Sequence, residues 1–251
     1  MARTSIIIPA LNEARGIERT LRHLALLEPP PREIWVVDGG SQDGTVAACE
    51  RIARRWFAQV PLRAIASPER GRAAQMNCGA RAASGDRLCF LHADTLMPDD
   101  GVALIEQTLE RPAIVGGGFL SLMAGSERTC WGLVAHNALK TYYGPLLLRP
   151  HRLGRGLRLL FGDQVLFCRR QAFWACGGFD ARLPLMEEAD LCLRLHHWGR
   201  LVQLNRVVQA SDRRVARWGA LRAHATYLAL GVGWGLGVPA HRLKRFYPEV
   251  R

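Results

Sequence analysis

The chain opens on a short β-branched run, Ser5–Ile8 (SIII), stopped by Pro9, after which Ile17, Leu21, Leu24 and Leu27 recur at three- and four-residue intervals. That pattern predicts a strand followed by a helix over Glu13–Leu27. The alternation continues. Pro29-Pro30-Pro31 ends the helix, and Glu33–Val37 (EIWVV) reads as a second strand that delivers Asp38 into the loop GGSQDGT. A helix is expected from Thr45 to about Phe57, a third strand over Leu62–Ala66, and a helix over Gly71–Ala83 whose Ala73, Ala74, Gly79, Ala80 and Ala83 allow close packing on a sheet. Arg87–Leu91 is the fourth strand, and it runs straight into His92-Ala93-Asp94. Strands alternating with helices predict an α/β fold, in which ligands bind beyond the carboxyl ends of the strands. The segments Pro9–Glu13, Asp38–Ser41 and His92–Asp94 therefore converge on one crevice.

Beyond residue 97 the pattern is less regular. Ile114–Leu122 and Val165–Cys168 read as strands, the latter after Gly162-Asp163-Gln164, and Cys130–Tyr143 as a helix. Met186–Trp198 reads as a helix with Glu187, Glu188 and Asp190 in its first turn, where the helix dipole favours acids. Gly177-Gly178-Phe179-Asp180 forms a turn leading into it. Ala225–Pro239 is apolar, with Arg213, Arg214, Arg217, Arg222, Arg242, Lys244 and Arg245 on its flanks. A bilayer span needs about 20 apolar residues, so this segment is either a helix covering the core or an interfacial helix lying on anionic lipid.

Composition narrows the class. With 251 residues, 49% of them hydrophobic and 22% charged, the chain is expected to fold as one soluble unit. The net charge of +12 comes almost wholly from arginine, since Lys140 and Lys244 are the only lysines. That balance suits phosphates, nucleic acid or a lipid surface, and equally follows from genomic base composition. No aromatic-basic stacking motif is present and the arginines are scattered, so nucleic acid is not expected as a partner. Seven cysteines without a CxxC pair predict reduced thiols, and MARTSIIIP is too short an apolar run for a signal peptide. Both point to the cytoplasm, with peripheral attachment to the inner membrane face through 213–245 left open.

The segments SIIIPALNE, VVDGGSQDGT, GRAAQMNCGARAASGD, FLHADT, GGFD and MEEADLCLRL stand in an order that resembles the family 2 inverting glycosyltransferases of the GT-A fold, over nearly the whole chain. Within it, FLHADT, FGDQVLF and the terminal RFYPEVR resemble a small bacterial subgroup found near radical-SAM genes and sometimes linked to arsenosugar synthesis. The resemblance implies a mixed, mostly parallel sheet flanked by helices, with a nucleotide-binding half (1–97), an acceptor-binding half (98–215) and a C-terminal helical segment (216–251). It also implies a nucleotide diphosphate sugar donor, UDP-linked before GDP-linked, and an acceptor hydroxyl on a sugar, a lipid-linked sugar or a small metabolite.

Residue by residue, the resemblance puts Pro9, Leu11 and Glu13 beside the ribose or base, and Asp38 against the base. Gly39 stands where the family commonly has a second aspartate. Arg70 or Arg72 is aimed at the phosphates, and Asp163 lies near the acceptor or donor sugar. Asp94, with Ala93 before it, is the expected ligand of Mn2+ or Mg2+, an ion that would neutralise the leaving diphosphate. His92 replaces the first aspartate of the family's DxD, able to donate to the ribose or to ligate the metal. Glu188 aligns with the catalytic base, with Asp190 as the alternative and Glu187 as a cap or acceptor contact. Arg213 and Arg214 are placed to close over the diphosphate, while Asp43 is expected to cap a helix. Two other readings stay open: a sugar-1-phosphate nucleotidyltransferase, disfavoured because Pro9–Glu13 has no glycine, and a non-catalytic binding protein, suggested by Gly39, His92 and Glu188.

Overall fold

The computed structural model describes residues 3–124 and 131–247. The expected helix start at Cys130 and the end of the RFYPEVR motif lie outside the described residues. Strands β1 (Thr4–Ala10), β2 (Glu33–Asp38), β3 (Leu62–Ala66) and β4 (Arg87–Phe90) alternate with helices α1 (Ala14–Leu24), α2 (Thr45–Trp56) and α3 (Arg72–Ala82), as the periodicity predicts. After them come α4 (Gly101–Glu110), β5 (Ile114–Ala124), α5 (Trp131–Leu148) and α6 (Pro150–Leu153), then a 3-10 turn at Gly162–Gln164, β6 (Leu166–Arg169) and α7 (Arg170–Ala175). The described chain ends with α8 (Glu187–Leu195), β7 (Arg200–Ser211), α9 (Arg213–Trp218), α10 (Ala220–Gly235) and α11 (Ala240–Lys244).

The strands form one seven-stranded sheet in the order β3-β2-β1-β4-β6-β5-β7. Only β6 runs against its neighbours: β1 is parallel to β2 and β4, β2 to β3, and β5 to β7, while β6 is antiparallel to both β4 and β5. Alternation along β1 sends Ile6 and Ile8 to a core shared with Ile17, Leu21 and Ile105, and Ile7 to the opposite core with Met76, Phe90 and Phe173.

Pro9 does not end the first strand, which continues to Ala10. Even-numbered residues of β1 bond to the β2 side, as Thr4 and Ala10 do through their carbonyls, and Ile7 faces β4 by accepting from Leu91 N–H. Pro9 faces the same way as Ile7 but lies past the end of β4, so its missing N–H removes no ladder bond. α3 packs close because Gly79 has no side chain: a Cβ there would sit 2.5 Å from Ile7 Cγ2 and 2.9 Å from Val37 Cγ2. Elements beyond the expected pattern are α4, which buries Val102, Ile105 and Leu109, the edge strand β7, and the short helices α6, α7, α9 and α11. The acidic helix α8 is also shorter than expected and ends at Leu195.

Glu33 ties β1, β2 and the turn before β4 together. Its Oε1 accepts from Ser5 Oγ at 2.7 Å, Ser84 N–H at 2.5 Å and Ser84 Oγ at 2.9 Å. Burial raises the pKa of this carboxyl, but the hydrogen bonds outweigh it and hold the group below its ordinary value of 4.5. A depressed pKa contributes stability that is present above 4.5 and is lost as pH falls through the folded value. Glu33→Gln is therefore expected to lower stability at neutral pH by about 1–3 kcal/mol, with the deficit shrinking as pH falls below 4.5. Urea unfolding across that range checks it, and a deficit that stays constant with pH rules it out.

Candidate active site

The carboxyl ends of β1 and β4, the end of β7, the start of α8 and the Gly162–Gln164 turn enclose a cavity of about 310 Å3. It brings together Pro9, Glu13, Arg72, His92, Ala93, Asp94, Asp163, Glu187 and Glu188 from the sequence-predicted set, along with Arg213 and Arg214. Three segments that flank it carry non-glycine residues at positive φ: Asn12 (55°), Val165 (53°) and Met186 (66°). Such conformations cost about 1–3 kcal/mol each, most of all for a β-branched valine, and persist where surrounding structure enforces them. Here they aim the neighbouring Glu13, Gln164 and Glu187.

Met186 starts α8 so that Glu187 and Glu188 point inward, where they are 4% and 5% exposed. Arg72 NH1 stands 3.5 Å from Glu187 Oε1 and 3.9 Å from Glu188 Oε1. Across the cavity, His92 Nε2 faces Glu188 Oε1 at 3.8 Å, and both atoms are buried without a hydrogen-bond partner. Gly162 makes that approach possible, since a Cβ there would collide with the His92 ring and lie 2.7 Å from Glu188 Oε1. Burial, and then the charge of Glu188, push the Glu187 carboxyl up. Glu188 is buried too, but the facing imidazole and Arg72 outweigh that and hold it low, so the pair keeps its charge on Glu188.

Asp94 takes part in a second cluster. Arg213 NH2 donates to Asp94 Oδ2 at 2.7 Å and stands 3.0–3.1 Å from the two carboxylate oxygens of Glu13. Burial raises the pKa of Glu13, and Arg213 opposes that rise.

Four predicted residues stay out of the cavity wall: Leu11, Asp38, Arg70 and Asp190. Asp38 accepts from the backbone N–H groups of Gly40 and Ser41, both at 3.0 Å, and so holds its own turn. Arg70 is exposed, which leaves Arg72 as the arginine of that pair that reaches the site. The alternative base Asp190 is turned away, because Arg194 grips its Oδ2 at 2.6 and 2.9 Å. At Gly39, the place of a second aspartate is filled by Gln75, whose Nε2 would lie 3.0 Å from an added Cβ and donates to the Ala10 and Val37 carbonyls. Asp43 accepts from Thr45 N–H and Ala14 N–H, at the starts of α2 and α1, in keeping with the expected capping role.

Lys140 is a site residue that the motifs did not mark. Its Nζ bonds Asp163 at 3.0 and 3.2 Å and lies 4.5 Å from the centre of the Phe161 ring. Burial raises the pKa of Asp163, but Lys140 outweighs it and holds the carboxyl below its ordinary value. The available signal was rarity, a lysine in a chain that otherwise uses arginine. Next to this pair the cavity turns apolar, with Leu159, Phe161, Leu185, Tyr227, Leu230 and Trp234 in its wall.

The sequence profile of Glycosyl transferase family 2 matches residues 5–167. The chain belongs to glycosyltransferase family 2. Among curated members it is similar to the beta-monoglucosyldiacylglycerol synthase of Trichormus variabilis, 26% identical over 76% of this chain and 41% of that protein. The succinoglycan biosynthesis protein ExoA of Rhizobium meliloti is 31% identical over 76% of this chain and 57% of its own length. The chain thus spans about two fifths of the synthase and under two thirds of ExoA. Of solved structures, it resembles the mannosyltransferase PcManGT of Pyrobaculum calidifontis, in complex with GDP-Man and Mn2+, with a TM-score of 0.71, 20% identity and coverage of 99% and 66% of the two chains. It likewise resembles the Mycobacterium tuberculosis glucosyl-3-phosphoglycerate synthase bound to Mg2+ and UDP, with a TM-score of 0.65, 20% identity and coverage of 95% and 80%. The sheet and its helices match these GT-A structures.

In this family 2 chain the expected cation ligands, Asp94 and His92, line one cavity but each faces another group. Arg213 occupies Asp94 Oδ2, and His92 turns its Nε2 toward Glu188. Among the described residues no group of three or more His, Cys, Asp or Glu side chains could hold a metal ion. The donor set thus departs from the one expected for Mn2+ or Mg2+, because a guanidinium already neutralises the carboxylate that would bind the ion.

Proposed function

We propose that this chain transfers a sugar from a nucleoside diphosphate donor to an acceptor hydroxyl with inversion at the anomeric carbon, UDP being preferred to GDP. The observation that carries the reading is Glu188: a buried, ionised carboxylate facing His92 and Arg72, in one cavity with Arg213 and Arg214. The acceptor O–H gives its proton to Glu188 as its oxygen forms the new bond to the anomeric carbon. On the opposite face the bond from that carbon to the phosphate oxygen breaks, and the electron pair leaves with the nucleoside diphosphate. Glu13 and Pro9 border the donor end, and Asp38, Leu11 and Arg70 lie farther out, toward the nucleoside. Residues 1–97 are assigned to the donor and 98–215 to the acceptor. Membership of the subgroup linked to radical-SAM genes and arsenosugars rests on FLHADT, FGDQVLF and RFYPEVR.

The apolar wall formed by Leu159, Phe161, Leu185, Leu230 and Trp234 supports an acceptor with an apolar portion, so a lipid-linked acceptor fits better than a free sugar. The name of the Trichormus relative, a synthase of a glucosylated diacylglycerol, points the same way. No helix among the described residues is long and apolar enough to cross a membrane. α10 does present Leu221, Leu228 and Val232 outward, with Leu236 exposed just after it, in a segment that also exposes Arg217, Arg222, Arg242 and Arg245. This supports peripheral contact through 213–245 with anionic lipid, and flotation with anionic vesicles at low salt tests it: protein left at the bottom of the gradient removes the contact. Calorimetric titration of UDP and GDP tests the donor. Saturable binding of one nucleotide supports the transferase, whereas heats of dilution alone leave a non-catalytic member of the family.

A further inference from the structure

We infer that Arg213 is the resident cation of this site, so that the nucleoside diphosphate is held through the free donors of a guanidinium without a divalent ion. The inference rests on the donor reading above and goes beyond it in naming what meets the diphosphate.

Asp94 is the carboxylate delivered by β4 to the centre of the crevice, and its Oδ2 is bonded to Arg213 NH2 at 2.7 Å. Glu13, delivered by β1, meets the same nitrogen at 3.0 Å. Two carboxylates from two strand ends thus converge on one positive group, an arrangement that elsewhere would hold an ion. The arginine is fixed in place from behind. It follows directly on β7, its N–H donates to Ser211 Oγ at 3.3 Å, and β7 is anchored to the segment after Asp94 by reciprocal bonds between Leu96 and Gln209 of 2.9 and 2.8 Å. Neither the carboxylates nor the guanidinium must move far to meet each other.

The chemistry fits the ligand. A guanidinium carries five N–H donors, and both carboxylate contacts use one terminal nitrogen, so the rest of the fork stays available to phosphate oxygens in the bidentate geometry arginine favours. Its charge persists at any pH the protein meets, and it needs no water stripped from it as Mg2+ does. His92, the other candidate ligand, turns its Nε2 toward Glu188 Oε1 at 3.8 Å. Arg214 lies alongside, stacked at 3.9 Å from the centre of the Tyr247 ring and bonded to its hydroxyl, so the neighbouring cation is held off Asp94 by aromatic contacts.

The test is calorimetric titration of UDP and GDP into the wild-type protein with EDTA and, separately, with Mn2+, repeated on Arg213→Ala and Arg213→Lys with folding checked by circular dichroism. The expected result is one wild-type affinity in both buffers, with a loss of about 10- to 100-fold for Arg213→Ala in EDTA and a smaller loss for Arg213→Lys, which keeps the charge but not the fork. Wild-type binding that collapses in EDTA and returns with Mn2+ overturns the inference and leaves the donor reading intact, and so does Arg213→Ala binding as the wild type does in EDTA. No binding in either buffer removes both.

Discussion

Glu188→Gln is expected to lower kcat by about 10²- to 10⁴-fold while leaving donor affinity within a few-fold of wild type, the range that general-base catalysis supplies. The amide keeps the shape of the side chain and its place beside His92, but it cannot take a proton. Stability is expected to fall slightly, because folding holds the Glu188 carboxyl below its ordinary value, so its charge beside His92 and Arg72 is favourable and the amide gives it up. The control is Asp190→Asn. Its carboxylate is committed to Arg194, so turnover is expected to change by no more than about threefold and the loss to appear as a small drop in stability. Activity that survives in Glu188→Gln and disappears in Asp190→Asn would move the base to Asp190.

Gly162→Ala is expected to cost about 100-fold in kcat for about 1 kcal/mol of stability, since a misplacement near 1 Å at the reacting groups is enough for such a loss. The backbone at Gly162 is not in the left-handed region, so alanine is tolerated there in conformation. What it meets is the far end of the His92 ring and Glu188 Oε1. The ring can swing aside, which keeps the cost to folding low, yet the swing destroys the facing of imidazole and carboxylate on which Glu188 depends. The double variant Gly162→Ala/His92→Ala should therefore lose little more than His92→Ala alone. Fully additive losses would mean that Gly162 acts somewhere other than through His92.

Much of the donor half is legible because its signals are local. Ile17, Leu21, Leu24 and Leu27 announce α1 by period alone, and the strand ends carrying Glu13 and Asp94 follow from the alternation of elements. The second half depends on pairing between distant segments. β6 has four residues, three of them buried, and nothing in LFCR states that it runs antiparallel between β4 and β5. β7 escapes the eye because it is an edge strand, paired along its length with β5, and its exposed Asn205 and Arg206 interrupt the apolar run. The site divides in the same way. Motifs mark Glu187, Glu188 and Asp94, but that His92 serves Glu188, and that Arg213 serves Asp94, are contacts between residues far apart in the chain which only the closed sheet creates.

The position of β6 also has a consequence for biosynthesis. β4 has β1 on one side and waits for β6 on the other, so the whole stretch from Leu91 to Val165 must be translated before that side is covered. At about 5–20 residues per second the ribosome needs on the order of 4–15 s for it. During that interval the nascent βαβαβ half presents the open N–H and C=O groups of Arg87–Phe90, and an unpaired strand edge is a template for joining another chain. The strand that later delivers His92 and Asp94 is thus also a point at which the growing polypeptide is open to aggregation.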